Sequence, residues 1–425
     1  MIDAHSRAWW RATLALCLGS FLVFLNLYVV QPLLPELHQA HGVSTLAANL
    51  AMSLATLSLA AALLVFGPLS DAIGRGGIMR VTLLAAGVLS LVLAWAPNFE
   101  VLLAVRVLQG FVLGGLPAVA IAWMGDEFER SAMLPAVGVY IAANTLGGIA
   151  GRVIGGWAAE AGGISASFLS VGGLTLAGVG LFWWLLPSAR GFTPRRFRLG
   201  EAFSDLLGHL RQPALRSAYL LGGLNFLVFI NLYSYLTFRL AAEPFSLDAR
   251  WLGLLFLTYL GGTLGSSLSG RLARRVSPPT CMALGTLLLA AGMSLTLAAT
   301  LPIILVGLTL AAFGFFLAHS MASGWVGRQA RQARGSASAL YLVFYYLGAS
   351  LGGLWLEPFW RAAGWSGALS GGGLVLVVTL TLAWRLRLGE RRQAGVDAEV
   401  QGMPCASASS PQTSFKRSER PQADL

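Results

Sequence analysis

The chain has 425 residues, of which 56% are hydrophobic and only 11% are charged, and it carries a net charge of +11. Soluble domains contain about 25% charged residues, and a soluble chain this apolar would expose large hydrophobic patches. The composition therefore excludes an ordinary soluble domain and predicts a protein that crosses a membrane several times. Its three cysteines, Cys17, Cys281 and Cys405, are too scattered for a disulfide framework or a metal site.

Twelve apolar stretches follow one another along the chain, each close to the length of about 20 residues that a helix needs to cross a bilayer. We expect spans at residues 12–35, 45–66, 78–96, 100–123, 132–157, 166–187, 216–239, 250–270, 280–299, 302–325, 336–357 and 366–386. The expected fold class is thus an all-α membrane protein of twelve transmembrane helices. It divides into two pseudo-symmetric six-helix bundles, the first half at 1–187 and the second half at 216–387.

The remaining segments are a linker at 188–215 and a tail at 388–425. Within the linker, apolar residues share one helical face at Leu199, Phe203, Leu206, Leu207 and Leu210. This pattern predicts an amphipathic helix that lies at the cytoplasmic surface of the membrane. The tail is rich in Ser, Pro, Gln and charge from residue 395 onwards, which predicts disorder.

Arginines are distributed unevenly between the two sides of the predicted membrane. If the N-terminus is cytoplasmic, the outer segments hold only Arg239, Arg250 and Arg361, and the other basic loop residues all lie inside. The positive-inside rule therefore predicts cytoplasmic termini and a multi-pass protein of the inner membrane. Because this bias accounts for the positive charge, we expect contact with membrane lipids and no nucleic-acid partner.

One eight-residue string occurs twice in the chain. Phe21–Tyr28 reads FLVFLNLY, and Phe226–Tyr233 reads FLVFINLY at an offset of 205 residues. Such a recurrence predicts two copies of one membrane unit with a substrate site between them. Each copy therefore carries an asparagine and a tyrosine at matching positions, Asn26 and Tyr28 in the first and Asn231 and Tyr233 in the second.

The segment after the second span reads GPLSDAIGR. It resembles the loop signature of the major facilitator superfamily, G-x-L-x-D-x-x-G-R. Glycines permit a tight turn, and the arginine of the signature can reach an acid at the inner end of the fourth span. We interpret this set as a cytoplasmic gate that comprises Gly67, Asp71, Gly74, Arg75, Asp126 and Glu127.

Two further motifs place arginines inside the membrane. Arg106–Gly110 resembles the R-x-x-Q-G signature of the superfamily, and Gly147–Gly156 approximates its glycine-rich fifth-span motif with Arg152 in place of a proline. The resemblance is to the YnfM-like branch, which groups with proton-driven exporters of drugs or metabolites. Buried arginines are costly and face a cavity or a partner, although Arg106 can also have a structural role. The glycine seam is expected to pack between the halves, against the eighth span.

The resemblance implies a cavity between the halves. Candidate side chains for it are polar or aromatic: Asn26, Tyr28, Gln31, Arg106, Tyr140, Asn144, Arg152, Asn231, Tyr233, Tyr235, Tyr259, His319, Tyr341 and Tyr345. Each of them can instead be a hydrogen-bonding residue between helices. The nearest acids are Glu36 and Glu357, and we select Glu36 and His319 as the proton-coupling candidates. A solvated loop acid and a packing histidine are the alternatives.

From these features we expect a secondary transporter that acts by alternating access, as a monomer. The preferred function is proton-coupled export of a small amphiphilic or drug-like molecule. The alternative is export of an anionic metabolite or sugar-related compound through Arg106 and Arg152, and a more remote one is a non-transporting membrane sensor on the same scaffold. No clustered metal ligands, nucleophile–base pair or phosphate loop occur in the sequence, so we expect no enzyme activity and no cofactor.

Overall fold

The computed structural model describes residues 1–189, 191–192, 199–330 and 334–402. These residues are almost entirely helical, and within them the only strand-like pairing is a parallel bridge between Ile2 and Phe128. Packing divides the chain into a unit at Met1–Arg387 and a second unit that begins at Leu388.

The helices of the first half are α1 (Arg7–Tyr28), α2 (Leu34–His41), α3 (Thr45–Ile73), α4 (Arg75–Ala94), α5 (Phe99–Leu113), α6 (Gly115–Glu127) and α7 (Arg130–Leu185). The linker contains α8 (Leu199–Arg211). The helices of the second half are α9 (Pro213–Ala241), α10 (Ala249–Leu254), α11 (Tyr259–Leu272), α12 (Pro278–Leu295), α13 (Leu301–Gln329) and α14 (Arg334–Gly402). We call the face with Gly74 and Phe128 the motif face, and the face with residues 36–44 and 242–248 the opposite face.

Two helices are too long for a single span. The 56 residues of α7 and the 69 residues of α14 each contain a break with non-helical backbone, at Gly162–Gly163 and at Ala363–Gly364. Gly163 and Gly364 adopt positive φ values of 71° and 56°, which glycine tolerates best. Ten described helices are long and apolar enough to cross a membrane. Since each break falls between two of the predicted spans, this number is consistent with twelve spans.

The two copies of the repeated string lie in helices of different shape. α1 ends at Tyr28 and continues as a 3₁₀ turn over Gln31–Leu33, because Pro32 has no N–H to donate to the carbonyl of Tyr28. α9 has Thr237 at the equivalent position and continues as one helix to Ala241. Sequence identity between the copies therefore does not extend to the backbone that follows them.

The glycine seam of α7 packs mainly inside the first half. A side chain at Gly147 or Gly151 would collide with the backbone of α1 at Phe21 or Leu25. Further along, the seam lies against α10 of the second half: Gly253 packs on the backbone of Arg152 and Val153, and Gly156 meets the carbonyl of Ala249. The predicted packing between the halves therefore holds over Arg152–Gly156, whereas Gly147 and Gly151 pack on α1 of their own half because the four-residue spacing directs them there.

The linker and the tail are described only in part. α8 covers the predicted amphipathic stretch, and Leu206 and Leu210 pack against the second-half core while Leu207 is exposed. The expected disorder of 388–425 does not hold at 388–402, which are helical, because Leu, Glu, Arg, Gln and Ala in that stretch favour helix. Residues 403–425 of the predicted tail lie outside the described residues.

Candidate functional site

Arg106 is fully buried on α5 and is held by backbone carbonyls. Its Nε donates to the carbonyl of Ala51 at 2.9 Å, its Nη1 to that of Asn26 at 3.1 Å, and its Nη2 to that of Leu27 at 2.8 Å. Nη1 also donates to Oε1 of Gln109. The last carbonyls of a helix lack intrahelical partners, so Arg106 acts as a cap for the end of α1.

Arg152 is also fully buried, on α7, but its acceptors are few and neutral. Nε and Nη2 both donate to Oε1 of Gln31, at 2.8 and 2.7 Å, and Nη1 donates to the carbonyl of Gly148 at 2.9 Å. Within the described chain, Arg152 forms no ion pair with an acid. An isolated buried cation costs several kcal/mol, so its surroundings must offset that cost.

Three aromatic rings surround the Arg152 guanidinium. Its central carbon lies 3.9 Å from the ring centroid of Tyr28, 4.3 Å from that of Phe256 and 4.9 Å from that of Tyr259. We call these three rings the aromatic cage. Desolvated cation–π contacts are worth about 2 kcal/mol, which offsets part of the burial cost. Because Tyr28 belongs to the first half and the other two rings to the second, Arg152 lies between the halves.

Gln31 connects this arginine to the second half. While its Oε1 accepts from Arg152, its Nε2 donates to the carbonyl of Ile230 at 3.0 Å and to Oγ of Ser234 at 2.9 Å. Gln31 is fully buried. One neutral amide thus links a cation of the first half to helix α9 of the second half.

The matched asparagines have different partners. Asn26 bonds inside its own half, to Oγ1 of Thr175 at 2.7 Å and to Oγ of Ser90 at 2.5 Å. Asn231 accepts from Nδ2 of Asn49 at 3.1 Å, a bond between the halves. Only the second member of the predicted pair therefore reaches the interface.

The remaining candidates form hydrogen bonds or stacks. Tyr233 bonds to Thr258 at 2.7 Å, and Tyr341 contacts Nδ1 of His319 at 3.0 Å. Tyr345 stacks on Phe226 with centroids 3.6 Å apart, and the ring of His319 lies 4.7 Å from Tyr345. In the first half, Asn144 accepts from Ser20, and Tyr140 is buried near that pair. His319 is thus a partner of two tyrosines.

Burial separates the candidates into two groups. Three of them, Asn144, His319 and Tyr345, are half-buried, whereas the others are buried. Asn144 precedes Arg152 by eight residues on α7, about 12 Å nearer the motif face at 1.5 Å per residue. The half-buried candidates thus lie nearer the motif face than Arg152 does.

Hydrogen bonds between the halves lie towards the opposite face. Among the described residues, the bond of this kind that lies nearest the motif face joins Thr56 to Ser350 at 2.8 Å. Thr56 still precedes the midpoint of α3, a helix that ends at the motif face. The Asn49–Asn231 bond and the Gln31 bonds lie beyond it. The described conformation is therefore closed at the opposite face.

The signature segment forms a cluster of charges at the motif face. Arg75 pairs with Oδ1 of Asp71 at 2.7 Å and with the carboxylate of Asp126. Of the two predicted acidic partners on α6, Asp126 thus contacts Arg75. Glu127 is turned elsewhere, 5% exposed, and accepts from the backbone N–H of Gly191 at 2.8 Å.

The two glycines of the signature differ in their roles. Gly74 has a φ of 93° and connects α3 to α4, as a tight turn requires. Gly67 lies inside α3, because that helix continues through Pro68 to Ile73. The expectation of a turn at Gly67 is therefore wrong, and the connection is shorter than the motif suggests.

The N-terminal segment covers the same corner of the motif face. The N–H of Ile2 donates to the carbonyl of Glu127 at 2.7 Å, and the N–H of Glu129 donates to the carbonyl of Ile2 at 3.1 Å. A hydrogen bond with the Asp3 side chain raises the pKa of Glu129. This segment therefore ties the chain's start to the end of α6.

Two acids lie near the opposite face. Glu36 on α2 is half-buried and within electrostatic range of Glu160, and it forms no ion pair with Arg106 or Arg152 among the described residues. Glu357 on α14 is only 5% exposed, accepts from the Tyr235 hydroxyl at 3.0 Å and pairs with Nε of Arg361 at 2.8 Å.

Sequence reasoning placed Glu357 at the end of a span and did not select it. Its burial arises from packing against Tyr235 of α9, a contact 122 residues apart in the chain that no local pattern reveals. The one available signal was Arg361 one helical turn later, at the spacing of an ion pair.

The family model of the Major Facilitator Superfamily matches residues 16–353 of the chain. The chain is 36% identical over 374 residues to an uncharacterized MFS-type transporter, YybF, of Bacillus subtilis (strain 168), which covers 88% of this chain and 92% of the relative. It is also 36% identical over 376 residues to the inner membrane transport protein YnfM of Escherichia coli (strain K12), with 88% and 90% covered. The crystal structure of the human organic anion transporter MFSD10 (TETRAN) matches with a TM-score of 0.67 at 20% identity, over 88% of this chain and 99% of that one.

Proposed function

We propose a function for this chain on the basis that it belongs to the major facilitator superfamily of membrane transporters, which are not enzymes. The protein exports a small amphiphilic or drug-like molecule by proton-coupled alternating access. It is a multi-pass membrane protein. We place it in the inner membrane as a monomer among lipids with both termini cytoplasmic, which agrees with the arginine bias and with the printed name of the Escherichia coli relative.

The observation that carries the proposal is the buried layer between the halves. Cross-half hydrogen bonds close the opposite face down to Thr56, while half-buried candidates remain on the side of the motif face. With cytoplasmic termini, this conformation opens towards the cytoplasm, where an exporter takes up its substrate. The bonds of Gln31, Asn49 and Thr56 must then break for release on the other side.

The chemistry of the candidate residues supports an amphiphilic substrate. Tyrosine rings offer apolar faces together with a polar hydroxyl, and the half-buried neutral amide of Asn144 orients a polar group without demanding a charge. Binding sites of this mixed character accept ligands with an apolar body and few polar groups.

Proton coupling requires a group that can exchange protons between the two sides. Glu36 is the candidate that the sequence selects, and Glu357 adds a carboxylate that is more deeply buried and bonded to Tyr235. His319, half-buried beside Tyr341, is the candidate on the side of the motif face. We propose that one of the two glutamates carries the proton.

Transport of dyes into proteoliposomes tests the proposal. Purified protein is reconstituted, a pH gradient is imposed, and accumulation of ethidium, Nile red and fluorescein is followed as cationic, neutral and anionic amphiphiles. We expect at least one dye to accumulate against its gradient only when protein and pH gradient are both present. Absence of gradient-dependent accumulation for all three would contradict proton-coupled export.

A further inference from the structure

We infer that Arg152 is the anchor for a carboxylate on the substrate, and that Gln31 occupies the anchor when the substrate is absent. The inference rests on the proposed transport function and names the class of substrate, a small aromatic carboxylate. It starts from the different environments of the two buried arginines.

The hydrogen bonds of Arg106 leave little room for a ligand. An arginine has five N–H groups, and Arg106 directs four of them to oxygens, three of which are backbone carbonyls of α1 and α3. Removing that side chain from its carbonyls would leave them unsatisfied in a buried place. Arg106 is therefore occupied by the fold itself.

Arg152 has capacity that the fold does not use. Three of its N–H groups have oxygen acceptors among the described residues, two of them on the single Oε1 of Gln31, which leaves two N–H groups without an oxygen acceptor there. The side chain is fully buried and no acid of the described chain neutralises it. A carboxylate has two oxygens in the geometry that a guanidinium binds with parallel hydrogen bonds.

The cage provides the rest of the site. Tyr28, Phe256 and Tyr259 present rings that suit an aromatic or flat apolar body attached to that carboxylate. Tyr345, half-buried and within electrostatic range of Tyr28, lies on the side of the motif face. A ligand that enters from the motif face therefore reaches the cage past Tyr345.

The position of Gln31 couples binding to opening. Its Oε1 holds Arg152 and its Nε2 holds Ile230 and Ser234 of the second half. A substrate carboxylate that replaces Oε1 on the guanidinium removes one side of this link. The halves then separate more easily near the opposite face, which is the step that export requires.

The experiment compares acids with their neutral amides on the purified full chain in detergent. Thermal unfolding is measured with benzoate and 3-phenylpropionate, and with benzamide and 3-phenylpropionamide as isosteric controls. We expect the acids to raise the unfolding temperature by a few degrees and the amides to have no comparable effect, because only the acids neutralise Arg152. Equal shifts for acids and amides would overturn the inference.

Gln31→Glu tests the site itself. This change places a permanent carboxylate on Arg152 and removes the donor to Ile230, so we expect at least a tenfold loss of apparent affinity for the acids. The matched control is Gln109→Glu, which places the same new charge beside Arg106 and should leave the acid response unchanged. A Gln31→Glu protein that responds to benzoate like the wild type would overturn the inference.

A second variant covers a failure of Gln31→Glu to fold. Arg152→Lys retains the charge but lacks the paired donors, so we expect a tenfold weaker response to the acids; an unchanged response would also overturn the inference. Dye flux separates this result from the proposed function. Gradient-driven transport without an acid response contradicts only the anchor, whereas an acid response without gradient-driven transport contradicts only proton-coupled export.

Discussion

Two buried arginines of the first half illustrate how acceptors determine the role of a charge. Arg106 donates to the carbonyls of Ala51, Asn26 and Leu27. Arg152 donates to one amide oxygen and one carbonyl, and three aromatic rings surround it. We predict that Arg106→Gln lowers stability by about 3 kcal/mol, because breaking a buried polar network leaves its partners unsatisfied. Thermal unfolding of the purified protein measures this.

The matched comparison is Arg152→Gln, which removes a charge that has no acid partner among the described residues. We expect a smaller loss of stability than for Arg106→Gln, because fewer acceptors are left without a donor. Equal losses in the two variants would mean that both arginines have the same structural role.

The acids near the opposite face provide a test of coupling at single residues. We predict that Glu357→Gln removes pH-gradient-driven accumulation while exchange of substrate without a gradient continues, because the amide still accepts from Tyr235 but cannot release a proton. Glu36→Gln is measured in parallel, and whichever variant loses the gradient response identifies the carrier. Full gradient-driven transport in both variants would contradict the proposal that a glutamate carries the proton.

At the scale of elements, the charge cluster at the motif face connects three helices. Asp71 lies in the last turn of α3, Arg75 begins α4, and Asp126 lies in the last turn of α6. Arg75 is largely buried and its two acids are partly exposed; ion pairs that water reaches contribute up to about 1 kcal/mol, so loss of one pair should not unfold the protein. It should instead change how easily these helix ends move relative to one another.

We therefore predict that Asp71→Asn slows transport severalfold without a measurable change in the unfolding temperature. Asp126→Asn should slow it further, because Asp126 joins Arg75 to a different helix whereas Asp71 lies four residues before it on the adjoining one. Initial rates of dye flux per folded protein measure both effects. A well-expressed Asp71→Asn protein with wild-type rates would exclude the gate role.

Helices could be predicted where a continuous apolar pattern defines them, and less well where a motif with glycine or proline falls at their end. The helix over Leu199–Arg211 followed from apolar spacing alone. The helical course of α3 through Gly67 did not follow from the motif, because a signature shared by a family does not state where its turn lies. Pro32 indicates a break in the helix after Tyr28. That the carbonyls at this helix end accept hydrogen bonds from Arg106 could not be predicted, because Arg106 lies on a helix distant in sequence.

At the scale of the whole molecule, the all-helical membrane fold and the family were both predictable and are confirmed by the family match and the related structures. Composition is a property of the whole sequence and a loop signature is a property of one short segment, so neither depends on contacts between distant residues. The partners of Asn26 and Asn231 could not be predicted, because identical strings in two halves met different neighbours.

In the proposed transport cycle, the two halves alternate around the layer of Gln31, Asn49 and Thr56. Spin-label distances in a cysteine-free background test it most directly, with one pair at the opposite face, Gln39→Cys with Ala242→Cys, and one at the motif face, Gly77→Cys with Arg274→Cys. With acidic pH and a dye that the flux assay identifies as substrate, we predict that the first distance lengthens while the second shortens. Distances that stay constant, or that change in the same direction, would contradict alternating access in this protein.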